Sequence, residues 1–358
     1  MSRTSSTKLG AHIRHVCALK FHSATIIPSV VAATREIVGA DFGHFMWSDE
    51  RFAISSVYSE IDEAYKTLGA YEHLRRTGHV SQLIGDFSEW MSLSCGFTNS
   101  DHLGPALERS AFYGEVLSPT GGRHFINVVA RHGARGWGSL ILVREKGRRP
   151  FTDAEYRLVD AFSRHIGNAV RHGSDSDGPF ADGARSGILV ADWNGRIRHQ
   201  SRFAYRLMLE SIDRTCSTGI GDDNLPSELA SVVRSLRAIE RGLAVGPAVK
   251  EITNRWGRFT WSAYPLNDLG CVLHCQHQEP ILLQALRAAR SAGLSDRKQI
   301  VAARLVCGSS YHCIACLLDV KESTVVDCVR NVYWQLGVSS VSELRQRLLN
   351  KVAASEVR

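Results

Sequence analysis

The chain has 358 residues, 44% apolar and 22% charged, with a formal net charge of +7. These proportions belong to an ordinary folded protein of two to three domains and exclude a disordered chain. The positive charge suits nucleic acid, but it is spread along the chain rather than gathered in one segment. No stretch approaches the roughly 18 consecutive apolar residues of a membrane span, and the N-terminal MSRTSSTKLGAHIRHV has no apolar run of signal-peptide length, so a cytoplasmic protein with no membrane contact is expected. Nine cysteines at irregular spacing are then expected as reduced thiols.

Residues 20–172 alternate helical and strand patterns. Ile27 to Val38 reads as an amphipathic helix, Phe42 to Trp47 and Phe52 to Tyr58 as strands, and Asp62 to Arg76 as a helix. Arg123 to Arg131 and Trp137 to Arg144 are apolar strands around a turn at His132-Gly133-Ala134-Arg135-Gly136. Thr152 to Glu155 is a capping box, followed by a helix with Val159, Phe162, Ile166 and Val170 on one stripe. This order, and the ending GWGSLILVREKGRRPFTDAEYRLVDAFSRHIGNAV, resembles a GAF-type sensor domain, which implies an α/β unit over residues 1–172. Such folds hold a small ligand between sheet and helices, so Trp47, Tyr58, Tyr71, Trp90 and Phe112 are candidate pocket walls; ordinary core packing is the alternative for each.

The Gly/Ser/Asp run at 173–178 opens a linker expected over 173–183. After it, Ile188 to Trp193 and Arg196 to Arg198 flank Asn194-Gly195, a hairpin signal because both residues tolerate positive φ. Helical stretches at Phe203–Ile212 and Ser227–Arg241 precede strands near Ala248–Thr253, Arg258–Ala263 and Cys271–His277. Hairpin, helices and antiparallel strands resemble a PAS-type α+β domain over 184–279. Pro280 then opens a connecting helix over 280–293, either a lever and dimer element or a passive linker.

The C-terminal 294–358 is the most informative segment. Ser295 is a candidate N-cap for a helix to about Val306, with Val301 and Leu305 on one face and Gly308 as its stop. A second helix runs from about Ser309 to Leu318. After an Asp319-Val320-Lys321 turn comes a third, with Val325, Val329, Val332 and Leu336 at +4, +3, +4, the single apolar stripe of a helix. Ser340 to Glu343 reads as a capping box opening a fourth, with Val341, Leu344 and Leu348 on one side. Two helices joined by a short turn, the second packed through one stripe, leave a face free for a major groove.

From Leu294 to Leu344 the chain resembles, without a gap, the LuxR-type helix-turn-helix. The matches are Leu294, Ser295, Arg297, Gly308, Ser310, Ile314, Ala315, Thr324, Val325, Leu336, Gly337, Val338, Ser340, Glu343 and Leu344. The resemblance implies an all-α four-helix domain, Glu322 to Gln335 as recognition helix, and a fourth helix whose Val341, Leu344 and Leu348 are candidate dimer contacts; packing within the domain is the alternative. The chain departs from the family at Cys313, Lys321, Val326, Cys328 and Gln335, where Glu, Ser or Thr, Lys, His and Lys are usual. Lys321 cannot accept the capping hydrogen bonds, and Val326 removes a cation.

The outward face of the third helix is expected to carry Lys321, Thr324, Val326, Asp327, Arg330, Asn331 and Gln335. Arg330 suits guanine O6/N7 or a phosphate, Val326 a thymine methyl and Asp327 cytosine N4. From 294 to 350 there are seven Lys/Arg against five Asp/Glu, a net charge of only +2, so one copy is expected to bind DNA weakly. Cys313 and Cys316, one turn apart, are redox candidates; a lone CxxC lacks the second pair of a zinc site. Cys271 and Cys275 are expected to face opposite to His274, so those groups do not converge on a metal. There is no P-loop, GxSxG or HExxH motif, and no enzyme, metal or cofactor is expected.

The multi-domain α+β chain is thus expected to be a dimeric transcription regulator binding double-stranded promoter DNA, with an unknown small-molecule ligand in its sensor domains. The alternative is a regulator with a degenerate helix-turn-helix acting by protein–protein interaction.

Overall fold

The computed structural model describes residues 3–93, 96, 98–173, 179–215, 223–267 and 269–349, with the side chains of 3–8 and 182–184 left aside. Helices α1 (Arg3–Cys17) and α2 (Ser23–Val38) lead into strands β1 (Phe42–Ser48) and β2 (Ile54–Ser59). Short helices follow: α3 (Glu63–Lys66), α4 (Leu68–Arg76), α5 (His79–Ile84), α6 (Phe87–Leu93) and α7 (Pro105–Glu108). Strands β3 (Gly122–His132) and β4 (Arg135–Glu145) and helices α8 (Asp153–Asp160) and α9 (Ser163–His172) complete the first unit. Its antiparallel sheet has the order β2-β1-β4-β3.

Both faces of this sheet are covered, which is why its central strands read as unbroken apolar runs. Phe45, Ile126, Val128, Leu140 and Leu142 point to the side of α2 and α9. Phe42, Phe125, Val129 and Val143 point to the short helices, with Tyr71, Trp90, Met91 and Phe112. The β3–β4 turn is tighter than the five residues expected: His132 pairs with Arg135, and Gly133 takes φ 64. The helix expected after Thr152 is two, broken at Ala161 and Phe162, although Val159, Phe162 and Ile166 are all buried.

The second unit comprises β5 (Phe180–Ala191), β6 (Ile197–Gln200), α10 (Ala204–Ser211), α11 (Ser227–Glu240), β7 (Val249–Asn254), β8 (Gly257–Leu266) and β9 (Gly270–Pro280). Its antiparallel order is β6-β5-β9-β8-β7, so the last strand lies beside the first. The expected linker lies outside the described residues at 174–178, while 180–183 are strand, because Phe180, Ala181 and Asp182 pair with Pro280, Glu279 and Gln278. In the β5–β6 turn only Gly195 uses positive φ; Asn194 does not, because the Asp192 carboxylate takes the Asn194 and Arg196 N–H groups and shapes a longer loop.

The β7–β8 hairpin inserts Trp256 into the first unit. Its ring lies 5.4 Å from that of Trp47 and 6.5 Å from that of Tyr58, and Thr25 Oγ1 donates to the Arg255 carbonyl at 2.8 Å. The α2/α9 side of the first sheet and the inner face of the second sheet therefore form one continuous core. Pro280 caps α12 (Ile281–Ser291), followed by α13 (Asp296–Val306), α14 (Tyr311–Leu318), α15 (Glu322–Leu336) and α16 (Val341–Leu349). Ala285, Leu286 and Ala289 of α12 are buried in the core of these helices, so α12 packs as a member of the helical unit. Among the described residues no helix is long and apolar enough to cross a membrane.

Arg144, only 2% exposed, ties β4 to α2 and α8. It donates to the Val38 carbonyl, to the Pro150 carbonyl at 3.0 Å and to Glu155 at 2.8 Å. Burial alone would push the Glu155 carboxyl up, but hydrogen bonds from Arg144, the Thr152 N–H and Arg149 outweigh it and hold the group at about 2. A depressed carboxyl contributes stability above its ordinary value of 4.5 that is lost as the pH falls towards 2. Glu155→Gln is expected to lower stability at pH 7 by about 2 kcal/mol and to remove that acid-side loss, as read from denaturant melts at a series of pH values.

Candidate nucleic-acid interface and interior cavity

Ser310 caps α14, its hydroxyl accepting from the Cys313 N–H at 3.2 Å. The helix stops at Asp319, which takes a left-handed conformation (φ 51, ψ 54) and swings the chain through Val320 into α15. Lys321 has the extended backbone of an N-cap (φ −72, ψ 149) with no side-chain cap bond, leaving the first turn of α15 uncapped by its own side chain. Val325, Val329 and Val332 are buried against the neighbouring helices, and Leu336 is half-buried.

The opposite side of α15 is open. Asp327, Arg330, Asn331 and Trp334, spaced +3, +4 and +7 on one face, are all exposed. Arg330 Nη1 lies 3.4 Å from Asp327 Oδ1, and Asn331 Nδ2 donates to the Asp327 carbonyl at 2.9 Å. This surface ion pair is weak enough for a phosphate or base edge to displace. Lys321 is exposed, while Thr324 and Val326 are half-buried on the flanks. Gln335 is exposed as well, and its amide accepts from Lys298 at 3.2 Å and donates to the Gly293 carbonyl at 3.4 Å. Trp334, 85% exposed, was not among the expected residues; its position seven after Asp327 is the signal that places it there.

The fourth-helix stripe requires correction. Leu344 and Leu348 are 0% and 1% exposed within the chain's own helical core, so they are unavailable as dimer contacts; only Val341, at 41%, is open. Ser340 does cap α16, accepting from the Glu343 N–H at 3.2 Å, but the Glu343 carboxylate reaches back to the Ser339 N–H instead of closing the box on Ser340. Cys313 and Cys316 are both exposed free thiols on α14. Cys316 Sγ lies 3.7 Å from His312 Nε2, and His312 Nδ1 lies 2.7 Å from Glu322 at the start of α15. On β9, Cys271 and Cys275 point inward with His277, and His274 lies on the other face. Burial pushes the thiols of Cys271 and Cys275 up, Cys271 to about 11, which makes them unreactive. Among the described residues no group of three His, Cys, Asp or Glu is arranged to hold a metal.

A cavity of about 90 Å³ opens between the first sheet and its short helices. Tyr71, Trp90 and Phe112 line it, as expected; Trp47 and Tyr58 do not, because they face the other side of the sheet and pack on Trp256. The wall carries no Asp, Glu, Lys or Arg, and burial lowers the His44 imidazole to about 4, leaving it neutral. Asn127, 3% exposed, accepts from Ser139 through Oδ1 while its Nδ2 has no partner. The cavity therefore offers an uncharged, mostly apolar space with one spare donor.

No protein-family profile matches the chain, and no curated protein matches it. Among solved structures, it is similar to the GAF domain from an Acinetobacter phosphoenolpyruvate-protein phosphotransferase at 14% identity, covering 48% of this chain and 95% of that one with a TM-score of 0.30. It is similar to a phage VqmA–DPO complex at 18% identity (48% and 86% covered, TM-score 0.18). It is also similar to a Vibrio cholera VqmA–ligand–DNA complex at 16% (47% and 84% covered, TM-score 0.21). Likeness at these scores carries no functional weight.

The uncapped start of α15 has a direct consequence. Lys321→Ser places a hydroxyl on a backbone already in cap geometry and is expected to raise the stability of the helical unit by about 1 kcal/mol, measured as a shift of the urea midpoint without a change of slope.

Proposed function

We propose that this chain is a cytoplasmic DNA-binding transcription regulator. In this reading the first, GAF-like unit and the second, PAS-like unit receive a signal, and the LuxR-type helix-turn-helix of α13–α16 binds promoter DNA as a homodimer. The observation that carries it is α15 itself: a helix held by three valines, with the Asp327–Trp334 stripe exposed among the described residues. Arg330 is the reading residue, its guanidinium suited to guanine O6/N7. The 90 Å³ cavity suits a small uncharged ligand that accepts a hydrogen bond from Asn127. The GAF-like reading is supported by a sheet covered on both faces, and the PAS-like reading by a hairpin, helices and a three-stranded meander closing on β5. Cys313 and Cys316 are the residues through which an oxidant would act on α14, next to α15.

A second reading is favoured by one feature. Trp334 is 85% exposed at the C-terminal end of the stripe, Leu317 is 54% exposed on α14, and an aromatic anchor in the open is what a protein partner buries. There the chain acts by heterodimerisation or titration of another regulator.

Mobility shifts on the gene's own upstream duplex, titrated with salt, separate the two. DNA reading predicts binding that weakens steeply between about 50 and 200 mM salt, and an Arg330→Ala variant at least about tenfold weaker. Absence of binding at low salt, or an Arg330→Ala variant equal to wild type, contradicts base reading by this helix.

A further inference from the structure

Where the two sheet units meet α12, a second cavity of about 430 Å³ is walled by five arginines, Arg35, Arg185, Arg202, Arg206 and Arg287, against the three carboxylates Asp41, Glu60 and Glu279. Most of these charges are spoken for. Arg35 pairs with Glu60 at 3.0 Å, Arg287 with Glu279, and Arg185 with the fully buried Glu210 at 2.9 Å. Asp41 has Arg148 at 3.6 Å and accepts from the Glu145 N–H.

Two guanidinium groups have no hydrogen-bonded carboxylate among the described residues. Arg206 is 4% exposed and donates to the Ser59 carbonyl at 3.0 Å, but its Nε makes no hydrogen bond; its ion-pair partner Glu210, already held by Arg185, is 3.8 Å away, beyond hydrogen-bond reach. Arg202 is exposed and has no carboxylate partner among the described residues. Both guanidinium groups sit against the ring of Phe203, at 5.1 and 5.4 Å from its centre. A buried cationic donor left unmade is costly, and a planar guanidinium pair matches the oxygens of a carboxylate or phosphate. The space is far larger than a bare ion needs, and Pro28, Ala32 and Phe42 give it an apolar wall.

We infer that this cavity is a binding site for a small organic anion, whose carboxylate or phosphate is held by Arg206 and Arg202 and whose apolar part lies towards Phe42. The site is distinct from the apolar cavity of the first unit, and it stands independently of the DNA-binding reading. Because Arg287 belongs to α12, its wall includes the first helix of the helical unit.

Calorimetric titration of the full chain with inorganic phosphate and with benzoate, each against chloride of equal ionic strength, tests the assignment. Saturable heat with phosphate alone identifies a phosphorylated ligand, and with benzoate alone a carboxylate; either is expected to weaken about tenfold or more in Arg202→Gln. Arg202 is at the surface, so this variant should melt like the wild type, whereas Arg206→Gln is read only if its melting confirms a folded protein. No saturable binding of either anion, or binding unchanged in Arg202→Gln, overturns the proposal.

Discussion

The burial of Val325, Val329 and Val332 is the constraint on which the functional reading depends. Each contributes roughly 1.5–2 kcal/mol by leaving water, and their spacing fixes which side of α15 turns inward. With that side committed, Asp327, Arg330, Asn331 and Trp334 have nowhere to point but outward. The same packing explains why the missing cap at Lys321 is tolerated: tertiary contacts, not the first turn, hold the helix.

The units are not beads on a string. Trp256 joins the cores of the two sheets, and α12 begins hydrogen-bonded to the second sheet, its Ile281 N–H donating to the Pro179 carbonyl at 3.0 Å, and ends in the helical core. Arg290 of α12 also reaches Glu36 of α2 at 2.7 Å. A change in either sheet unit thus has packed side chains, rather than a free tether, on its route to the helical unit.

Much of this was legible in the sequence where one periodicity ran long enough. The strands around Phe125 and Leu140, the helices of the C-terminal unit and the stripe on α15 all follow from period 2 or 3.6. The short helices between residues 79 and 108 were missed because four to seven residues carry too little periodicity to register, and α1, whose pattern is interrupted by polar residues, was missed as well. Side-chain destinations were harder. Trp47 and Tyr58, candidates for either pocket wall or core, are core on the other face of their sheet; nothing local announces Trp256. Leu344 and Leu348 look identical as a dimer seam or as core; only the neighbouring α12 and α13 decide. Gln335 is exposed, but its bonds to Lys298 and the Gly293 carbonyl, distant in sequence, were not legible locally.

Trp334 supplies the most direct test of whether α15 meets a duplex. Of the chain's seven tryptophans, its emission is isolated as the difference between wild type and Trp334→Phe, and its accessibility is read by acrylamide quenching at low salt. Contact through the outward stripe predicts that this component becomes protected as duplex is added. A Trp334 component that stays fully quenchable while the protein is saturated with DNA would contradict the assignment of that face.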